Sequence, residues 1–261
     1  MVSHKEQSEE KYMVPSVEQA SQVLFCLAGN SASQMSLPEI CAQVGIHKSK
    51  AYSILQTLQK FGLVQRFSDR KGYALGPGLI TLSRKVLDDF NAPRLADPLL
   101  GELATKFGGT ATLGLVSDRM VFVAAKNEGG VDIGVTIRIG HRFPLTYGSH
   151  GKAIAASLPG KKLETLLLDS KLYFHGSPEK LDRTRLAEEL ARCQRDGYAL
   201  DLGDMKPGLN SVAAAVFGPG ETPIGYIALI GLFSNEAAHD SGPSVCVAAK
   251  ELSRQLGART D

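Results

Sequence analysis

Apolar residues recur at helical spacing in two short stretches near the N-terminus, with a glycine between them. The first stretch predicts a helix that begins near Leu37 and ends at Gly45, and the second predicts a helix that ends at Gly62. Ser36 and Glu39 have the spacing of a capping box, which stabilises the start of the first helix. The apolar face of the second helix comprises Ala51, Ile54, Leu55, Leu58 and Phe61. Two short helices joined in this way are typical of a helix-turn-helix motif.

The second helix also has a polar face that contains no acidic residue. Its cationic and hydrogen-bonding members are Lys48, Ser49, Tyr52, Ser53, Gln56 and Gln59. In a helix-turn-helix motif the second helix enters the major groove of DNA, where such side chains contact phosphates and base edges. The alternative is an ordinary amphipathic helix pair whose polar face contacts only solvent. Spacing alone favours neither interpretation.

A hairpin pattern after the second helix favours DNA binding. The runs LVQRF and YALG flank the polar turn SDRKG, and a hairpin in this place is the wing of a winged helix. Residues 47–73 contain six Lys/Arg and one acid, a local net charge of +5 against +2 for the whole chain. Positive charge is therefore concentrated where a duplex would lie. The candidate DNA-binding residues are His47, Lys48, Ser49, Lys50, Tyr52, Ser53, Arg66, Arg70 and Lys71.

Two more helical patterns flank this motif. Ser16 and Gln19 suggest a second capping box, which would open a helix after a mobile polar leader. An amphipathic helix from Leu79 to about Phe90 needs a partner for its apolar stripe, and the same helix of a second subunit would provide one. The predicted organisation is a mobile leader (1–14), a winged helix-turn-helix domain (15–76), a linker helix (77–92) and a second domain (93–258).

The second domain alternates between helical and strand-like patterns. After a helix that ends near Phe107 come strand-like runs in TATLGLV, MVFVAAK and IGVTIRIG, and three further strands follow a group of helices. A last helix is expected from about Pro243 to Leu256. Strands that arrive as neighbouring pairs, with helices grouped between them, predict an α+β domain with a mainly antiparallel sheet.

Composition limits the class of protein. The 261 residues are 43% hydrophobic, which suits one large or two modest globular domains, and no apolar run approaches the ~20 residues that span a bilayer. The polar N-terminus contains no signal region, so we expect a cytoplasmic protein with no membrane partner. The four cysteines are scattered without metal-ligand spacing and are interpreted as reduced core residues. We expect no cofactor and no metal.

Enzyme motifs fail on their neighbouring residues. Ser149 in GSHG superficially suggests a hydrolase nucleophile, but the nucleophile elbow needs a glycine at position 147, where the chain has Tyr. Lys152 is followed by Ala153 rather than Ser or Thr, so the phosphate-binding loop fails as well. None of the six histidines is three or four residues from another, so a zinc site would need distant positions. We therefore expect that the protein is not an enzyme.

From about Ser16 to Leu256 the chain resembles the IclR family of bacterial transcription regulators. The resemblance lies in LPEICAQVGIHKSKAYSILQTLQKFGLV, YALGPGLITL, GHRFPLTYGSHGKAIAASLP, RCQRDGYALD, GLNSVAAAVF and PIGYIALIG, in that order. It implies an N-terminal winged helix-turn-helix, a linker helix and a C-terminal GAF-like domain that binds a small organic effector. It also implies a homodimer or a dimer of dimers. Family members often have Thr and Arg where this chain has Lys50 and Ser53, so the operator is not implied.

The resemblance also implies an effector site in the second domain. Ser149, His150 and Gly151 stand at the start of a helix, whose unpaired N–H groups and dipole suit a carboxylate. Without the resemblance, a plain turn before a helix is the better explanation of these residues. The other pocket positions of the family correspond to Asp201 and Ser211.

The last long strand departs from the family's glyoxylate and pyruvate responders. Those proteins have two hydroxyl residues where this chain has Ala228 and Ile230. Fewer donors and more methyl groups make the site less suited to a small polar 2-oxoacid. The expected effector is therefore a larger carboxylate with an aromatic or aliphatic body.

These features predict a transcription regulator whose binding to double-stranded operator DNA is controlled by a small organic acid. Repression is the commoner mode of the family and is adopted on that ground. One alternative is a ligand-responsive activator of a catabolic operon. Another is an interaction module that binds no DNA, although the local charge of +5 argues against it.

Overall fold

The chain divides into two units, Met1–Asp89 and Phe90–Asp261. The structure is a computed structural model, and it describes residues 12–30, 32, 34–67, 72–89, 91–130, 134–220 and 222–258. Most of the predicted mobile leader lies outside these residues, as does the tip of the predicted hairpin.

The first unit combines four described helices with a small sheet. Its helices are α1 (Pro15–Gly29), α2 (Leu37–Val44), α3 (Lys48–Lys60) and α4 (Gly78–Asp89), and its strands are β1 (Met35–Ser36), β2 (Val64–Arg66) and β3 (Gly72–Leu75). The strands form an antiparallel sheet in the order β1-β3-β2. The helix pair and the following hairpin are thus present. Strand β1 was not predicted, because two residues are too few to show a period.

Local signals set the ends of α2. The Ser36 side chain accepts a hydrogen bond from the Glu39 N–H, and Glu39 Oε2 accepts one from the Ser36 N–H at 2.7 Å, so the predicted capping box is present. Gly45 ends the helix with a φ of 74°, a left-handed conformation that glycine adopts without steric cost. The capping box predicted for α1 is wrong, because that helix begins at Pro15 and its N-cap, Val14, makes no side-chain hydrogen bond.

Helices α1 to α3 enclose the core of the first unit. Ile40 and Leu55 are fully buried there, and Val23 of α1 supplies the third wall that two short helices lack. Burial of each such side chain contributes roughly 1.5–3 kcal/mol. Because Ala51, Ile54, Leu55 and Leu58 of α3 are buried, its polar face points outward. Phe61, which was predicted on the apolar face, follows the end of the helix and is 68% exposed.

The second unit is built on a six-stranded sheet. The strands are β4 (Thr110–Ser117), β5 (Met120–Glu128), β6 (Arg142–Pro144), β7 (Ala199–Leu202), β8 (Asn210–Phe217) and β9 (Pro223–Gly231). The helices are α5 (Ala92–Phe107), α6 (Gly148–Ala156), α7 (Gly160–Leu167), α8 (Arg183–Asp196) and α9 (Asn235–Gln255), with a 3₁₀ turn at Pro178–Lys180. The strand order is β6-β5-β4-β9-β8-β7, and every neighbouring pair is antiparallel. The predicted α+β fold is confirmed.

Helices cover both faces of this sheet. Helices α5 and α9 pack on one face around Leu100, Ile227 and Leu252, whereas α6 and α8 pack on the other face around Ile154 and Leu190. Alternate residues of a strand point to opposite faces, so β8 and β9 contribute to both cores. Helix α6 contacts β7, β8 and β9. This layering sets the start of α6 against the strands that carry the candidate effector residues.

Two sequence predictions in the second unit are wrong. Residues 134–140 form no strand despite their alternating pattern; the Thr110 hydroxyl donates a hydrogen bond to the Val135 carbonyl, and β6 is the strand that pairs with β5. The last helix begins at Asn235 rather than near Pro243. Pro243 lies inside that helix, where it removes one backbone hydrogen bond.

Candidate functional site

The polar face of α3 is exposed along its first two turns. The exposed DNA-binding candidates on this face are His47, Lys48, Ser49, Lys50, Tyr52 and Ser53. Ala51 and Leu55, which lie between and beyond them, are fully buried. No acidic residue occurs in α3. The structure thus brings six of the nine candidates together on one surface without a neighbouring negative charge in the helix.

Two hydroxyl groups of α3 bond to their own helix. Ser53 Oγ donates to the Ser49 carbonyl at 3.1 Å, and Thr57 Oγ1 donates to the Ser53 carbonyl at 2.9 Å. A hydroxyl that donates inward presents its lone pairs outward. Ser53 is therefore suited to accept a hydrogen bond, whereas Lys48 and Lys50 supply the positive charge.

Arg66 is exposed on β2, the strand that leads to the tip of the hairpin. Its guanidinium lies over the ring of Tyr73 on β3, 5.7 Å from the ring centroid. This cation–π contact orients the guanidinium at a modest energetic gain of about 0.5–1 kcal/mol. Arg70 and Lys71, the other two candidates of the hairpin, lie outside the described residues.

The register of the sheet brings the candidate effector residues to one face. Asp201 pairs with Ser211 and Ser211 with Ile230 across β7, β8 and β9, and Ala228 lies two residues from Ile230 on the same face. Ser149 of α6 faces this row, and its hydroxyl oxygen is 2.7 Å from that of Ser211. Residues far apart in the sequence thus meet at the start of α6.

Helix α6 begins at Gly148, so Ser149 and His150 lie in its first turn rather than in a loop before it. The N–H groups of the first turn of a helix have no carbonyl partner within the helix, and those of Ser149 and His150 belong to this turn. The N–H of Gly151, in contrast, donates to the carbonyl of the N-cap residue at 3.0 Å. A Cβ at Gly151 would lie 2.4 Å from the carbonyl carbon of Thr146. Close packing of α6 on the preceding backbone therefore explains this glycine, and the approach of a ligand is not required.

Asp201 is a buried carboxylate with one unsatisfied oxygen. Its side chain is almost fully enclosed, and Oδ1 accepts hydrogen bonds from the N–H groups of Asp204 and Met205 at 3.1 and 3.4 Å. Oδ2 has no hydrogen-bond partner among the described residues. Burial raises the pKa of Asp201, against the opposing charge of Lys152. An unsatisfied buried acceptor is a place where a bound molecule can donate a hydrogen bond.

His150 is a neutral member of an aromatic cluster. Its ring stacks on Tyr226 of β9 at 4.6 Å between centroids and also contacts Phe143 and Tyr147. Burial lowers the pKa of His150 to about 4, although a hydrogen bond with the backbone of Pro144 opposes the shift. Nε2 has no partner in the described part of the chain. The ring therefore offers a hydrogen-bond acceptor rather than a positive charge to an acid.

Sequence reasoning missed a buried ion-pair cluster beside this site. Lys152 of α6 is fully buried; its Nζ lies 2.8 Å from Glu189 Oε2 and donates to the Leu200 carbonyl at 3.2 Å. Arg185 contacts both Glu189 and Asp204, with Nε 2.9 Å from Glu189 Oε1. Burial alone would raise the pKa of Glu189. Hydrogen bonds and nearby positive charges outweigh burial, so the pKa of Glu189 is lowered. A lysine within a run of small apolar residues was the available signal.

The same cluster contains three groups with the spacing of metal ligands. Atoms of His175, Glu189 and Asp204 lie within 4.8 Å of one another. However, His175 Nδ1 accepts a hydrogen bond from the Asp182 N–H at 3.3 Å, so a neutral ring carries its proton on Nε2, which lies 2.9 Å from Glu189 Oε2. Lys152 already supplies a cation to the carboxylates. The donor set therefore fits an ion-pair network and does not fit a metal site.

Comparison with known proteins identifies the family. The model described as "IclR helix-turn-helix domain" matches residues 16–67, and the model "Bacterial transcriptional regulator IclR C-terminal" matches residues 84–255. The chain belongs to the IclR family. IclR-family members are transcription regulators that bind DNA, so this chain is a regulator and not an enzyme. No helix in the described parts of the chain has the length and apolar character of a membrane span.

Two relatives from Escherichia coli (strain K12) cover most of the chain. The HTH-type transcriptional regulator XynR is 31% identical over 206 residues, which are 78% of this chain and 81% of XynR. The transcriptional repressor IclR is 24% identical over 249 residues, which are 94% of this chain and 90% of that protein.

Solved IclR-family structures share the fold. A regulator from Alicyclobacillus acidocaldarius has a TM-score of 0.79 and 24% identity, over 94% of this chain and 100% of that one. An IclR homologue from Microbacterium hydrocarbonoxydans in complex with 4-hydroxybenzoate has a TM-score of 0.74 and 16% identity, over 92% of this chain and 99% of that one. At these identities the likeness concerns the fold.

Proposed function

We propose that this IclR-family protein is a cytoplasmic repressor that binds operator DNA through α3 and the β2–β3 hairpin and is controlled by a small organic acid bound at the start of α6. The exposed, acid-free face of α3 carries the proposal, because it presents Lys48 and Lys50 beside hydrogen-bonding side chains. The E. coli relative that is named a transcriptional repressor supports repression. Arg66, together with Arg70 and Lys71 of the hairpin, would contact phosphates or the minor groove.

The DNA-binding surface is tested by Lys50→Ala. In a helix-turn-helix protein the start of the second helix reads base edges, so this change should weaken binding to the operator by about 1–3 kcal/mol and binding to random duplex by less. Fluorescence anisotropy with promoter fragments from the neighbourhood of the gene, titrated at several salt concentrations, measures both affinities. Several phosphate contacts require a steep fall in affinity as salt rises.

Lys60→Ala is the matched control, since Lys60 is an exposed lysine at the far end of the same helix. It removes the same charge about 15 Å along the axis from Lys50. Equal losses on operator and random duplex for Lys50→Ala would show that Lys50 does not read bases. Absence of binding to any promoter fragment at low salt would contradict the function itself.

The effector proposal depends on the polar groups at the start of α6. The first-turn N–H groups of Ser149 and His150 can hold a carboxylate, and the helix dipole favours a negative charge there. Asp201 Oδ2 can accept a hydrogen bond from another part of the same molecule. Ala228, Ile230 and the Tyr226 ring offer apolar contacts for an aromatic or aliphatic body. The homologue that binds 4-hydroxybenzoate supports an acid of this kind.

A thermal-shift screen with small organic acids tests this proposal. We expect aromatic or branched acids to raise the Tm more than glyoxylate or pyruvate, because a ligand specific for the folded state stabilises it by mass action, by about 2.7 kcal/mol at a hundred times its Kd. The best acid is then added to the DNA titration, where release of the operator indicates a repressor and tighter binding indicates an activator. Calorimetry that ranked glyoxylate or pyruvate above the larger acids would contradict the proposed ligand class.

We propose a homodimer paired in part through α4. Leu82, a member of the predicted apolar stripe, is 57% exposed, and Ile80 on the same helix is 68% exposed. Covering them with the same helix of a second copy would remove this apolar surface from water. Effector binding would then change operator affinity only if the acid binds one arrangement of the two DNA-binding units better than another. A dimer of dimers is the further assembly that the family resemblance implies.

A further inference from the structure

Strand β4 carries two threonines directly across from the positions at which β9 lacks hydroxyl groups. Thr110 pairs with Ile230 and Thr112 pairs with Ala228. Directly opposed residues on one face have Cβ atoms about 4.5–5.5 Å apart. The hydroxyl groups that the sequence lacks on β9 are therefore present one strand away.

Both threonines lie on the sheet face that packs against α6. Ala228 pairs with Ala213 on β8, and both alanines belong to the core between the sheet and α6. Ala111 and Leu113, which alternate with the two threonines along β4, belong to the core on the opposite face. Since side chains alternate along a strand, Thr110 and Thr112 share the face of Ala228.

The two threonines differ in their hydrogen bonds. The Thr110 hydroxyl is engaged, because it donates to the Val135 carbonyl. Thr112 is fully buried, and its Oγ1 has no hydrogen-bond partner among the described residues. Burial raises the pKa of Tyr226 and the nearby Thr112 hydroxyl offsets part of this rise, yet no hydrogen bond of ordinary length and angle joins the pair. Leaving a buried hydroxyl unpaired costs about 1–3 kcal/mol, so a further partner is expected.

We propose that Thr112 is a specificity-determining residue that reads a hydroxyl or carbonyl substituent on the body of the acid effector. This inference depends on the proposed effector site at α6. Ser211, which bonds to Ser149, lies in line with Ile230 on β9 and Thr110 on β4. Thr112 is therefore two strands away from Ser211 and two residues further along the strand direction. With strands about 4.8 Å apart and a rise of about 3.3 Å per residue, the two Cα atoms are about 12 Å apart. A carboxylate held near Ser149 therefore places Thr112 at the far end of an aromatic or longer acid, beyond the reach of a two- or three-carbon acid.

The test compares acids with and without a distal hydroxyl on wild type and Thr112→Val. The probes are 4-hydroxybenzoate against benzoate, and 6-hydroxyhexanoate against hexanoate, with affinities from calorimetry. Wild type is expected to bind the better hydroxylated acid at least about tenfold more tightly than its partner, which corresponds to about 1.4 kcal/mol. Thr112→Val, which keeps the shape and removes the hydroxyl, is expected to abolish this preference and leave the unsubstituted acid unchanged.

Two control variants distinguish an effect of Thr112 on ligand preference from an effect on the stability of the fold. Thr112→Ser keeps the hydroxyl and should keep the preference, whereas Thr110→Val removes a hydroxyl that already has a partner and should change stability without changing the preference. If Thr112→Val lowers the Tm of the ligand-free protein but leaves the preference intact, Thr112 only supports Tyr226 and the inference is wrong. Equal binding of both members of each pair by wild type also overturns it. If wild type binds neither these acids nor any other acid of the thermal-shift screen, the proposed effector function fails as well.

Discussion

Replacing Lys152 with Met is expected to lower the free energy of unfolding by about 3 kcal/mol, because Glu189 loses its closest cation and keeps only the partly exposed Arg185. Lys152 is fully buried, and its Nζ is 2.8 Å from Glu189 Oε2. Met preserves most of the length and volume of the side chain, so the loss reports the charge rather than a cavity. Urea denaturation followed by circular dichroism measures the change.

Lys161→Met is the matched control for this substitution. Lys161 lies on α7, the neighbouring helix of the same unit, and is exposed, so its replacement should change the free energy of unfolding by less than about 0.5 kcal/mol. The double variant Lys152→Met/Glu189→Gln removes both charges. Its loss in the free energy of unfolding should be smaller than the sum of the losses of the two single variants. Similar stabilities for Lys152→Met and Lys161→Met would show that the buried pair contributes nothing.

The ion-pair cluster also positions the candidate effector site. Arg185 of α8 forms a bidentate pair with Asp204, and the Asp204 N–H donates to Asp201 Oδ1. Lys152 lies one turn beyond Ser149 on α6 and contacts the same cluster through Glu189. Helix α6, helix α8 and the segment after β7 are thereby joined where the acid is proposed to bind. Weakening this cluster is therefore expected to reduce effector affinity even without contact to the ligand.

The first unit could be predicted well because its signals are local. Ser36 and Glu39 are three residues apart, and Gly45 ends α2 through its own backbone conformation, so neither depends on distant residues. Where local and tertiary signals disagreed, the prediction failed. The alternation of residues 134–140 indicated a strand, but these residues form none, and β5 pairs with β6 instead, through Met120 to Phe122. Pro243 indicated a helix start, whereas packing of α9 on the sheet carries the helix through it.

The candidate effector site depends on the family resemblance, because its residues come together only through the tertiary structure. Ser149 and Ser211 are 62 positions apart, and nothing in either local pattern indicates that their hydroxyl groups meet. The role proposed for Thr112 has no local signal for the same reason, since it depends on the pairing of β4 with β9. The pairing of Lys152 with Glu189 was missed because only the lysine stands out in the sequence, as a charged residue among small apolar ones. Nothing around Glu189 indicates that it is buried or that Lys152 is its partner.

Lowering the pH from about 7 to about 4 is expected to destabilise the protein through His150 by about 3 kcal/mol. The pKa of this buried ring is about 4 in the folded protein, against an ordinary value of 6.5. Between these values the unfolded chain binds a proton that the folded protein does not bind, so the free energy of unfolding falls as pH falls. The loss begins near pH 6.5 and levels off below about pH 4, where both states are protonated. Each pKa unit of difference is worth about 1.4 kcal/mol.

His150→Phe isolates this contribution, because it keeps a ring against Tyr226 and removes the titrating group. The two proteins are compared by urea denaturation at several pH values between about 4 and 7. Glu189 and Asp204, whose pKa values are lowered, also lose stabilising charge in acid, but they do so equally in both proteins. The difference between wild type and His150→Phe should therefore shift in favour of the variant as pH falls through this window. Parallel curves would mean that His150 is protonated as readily in the folded protein as in the unfolded chain. The description of His150 as a neutral ring that offers a hydrogen-bond acceptor would then be wrong.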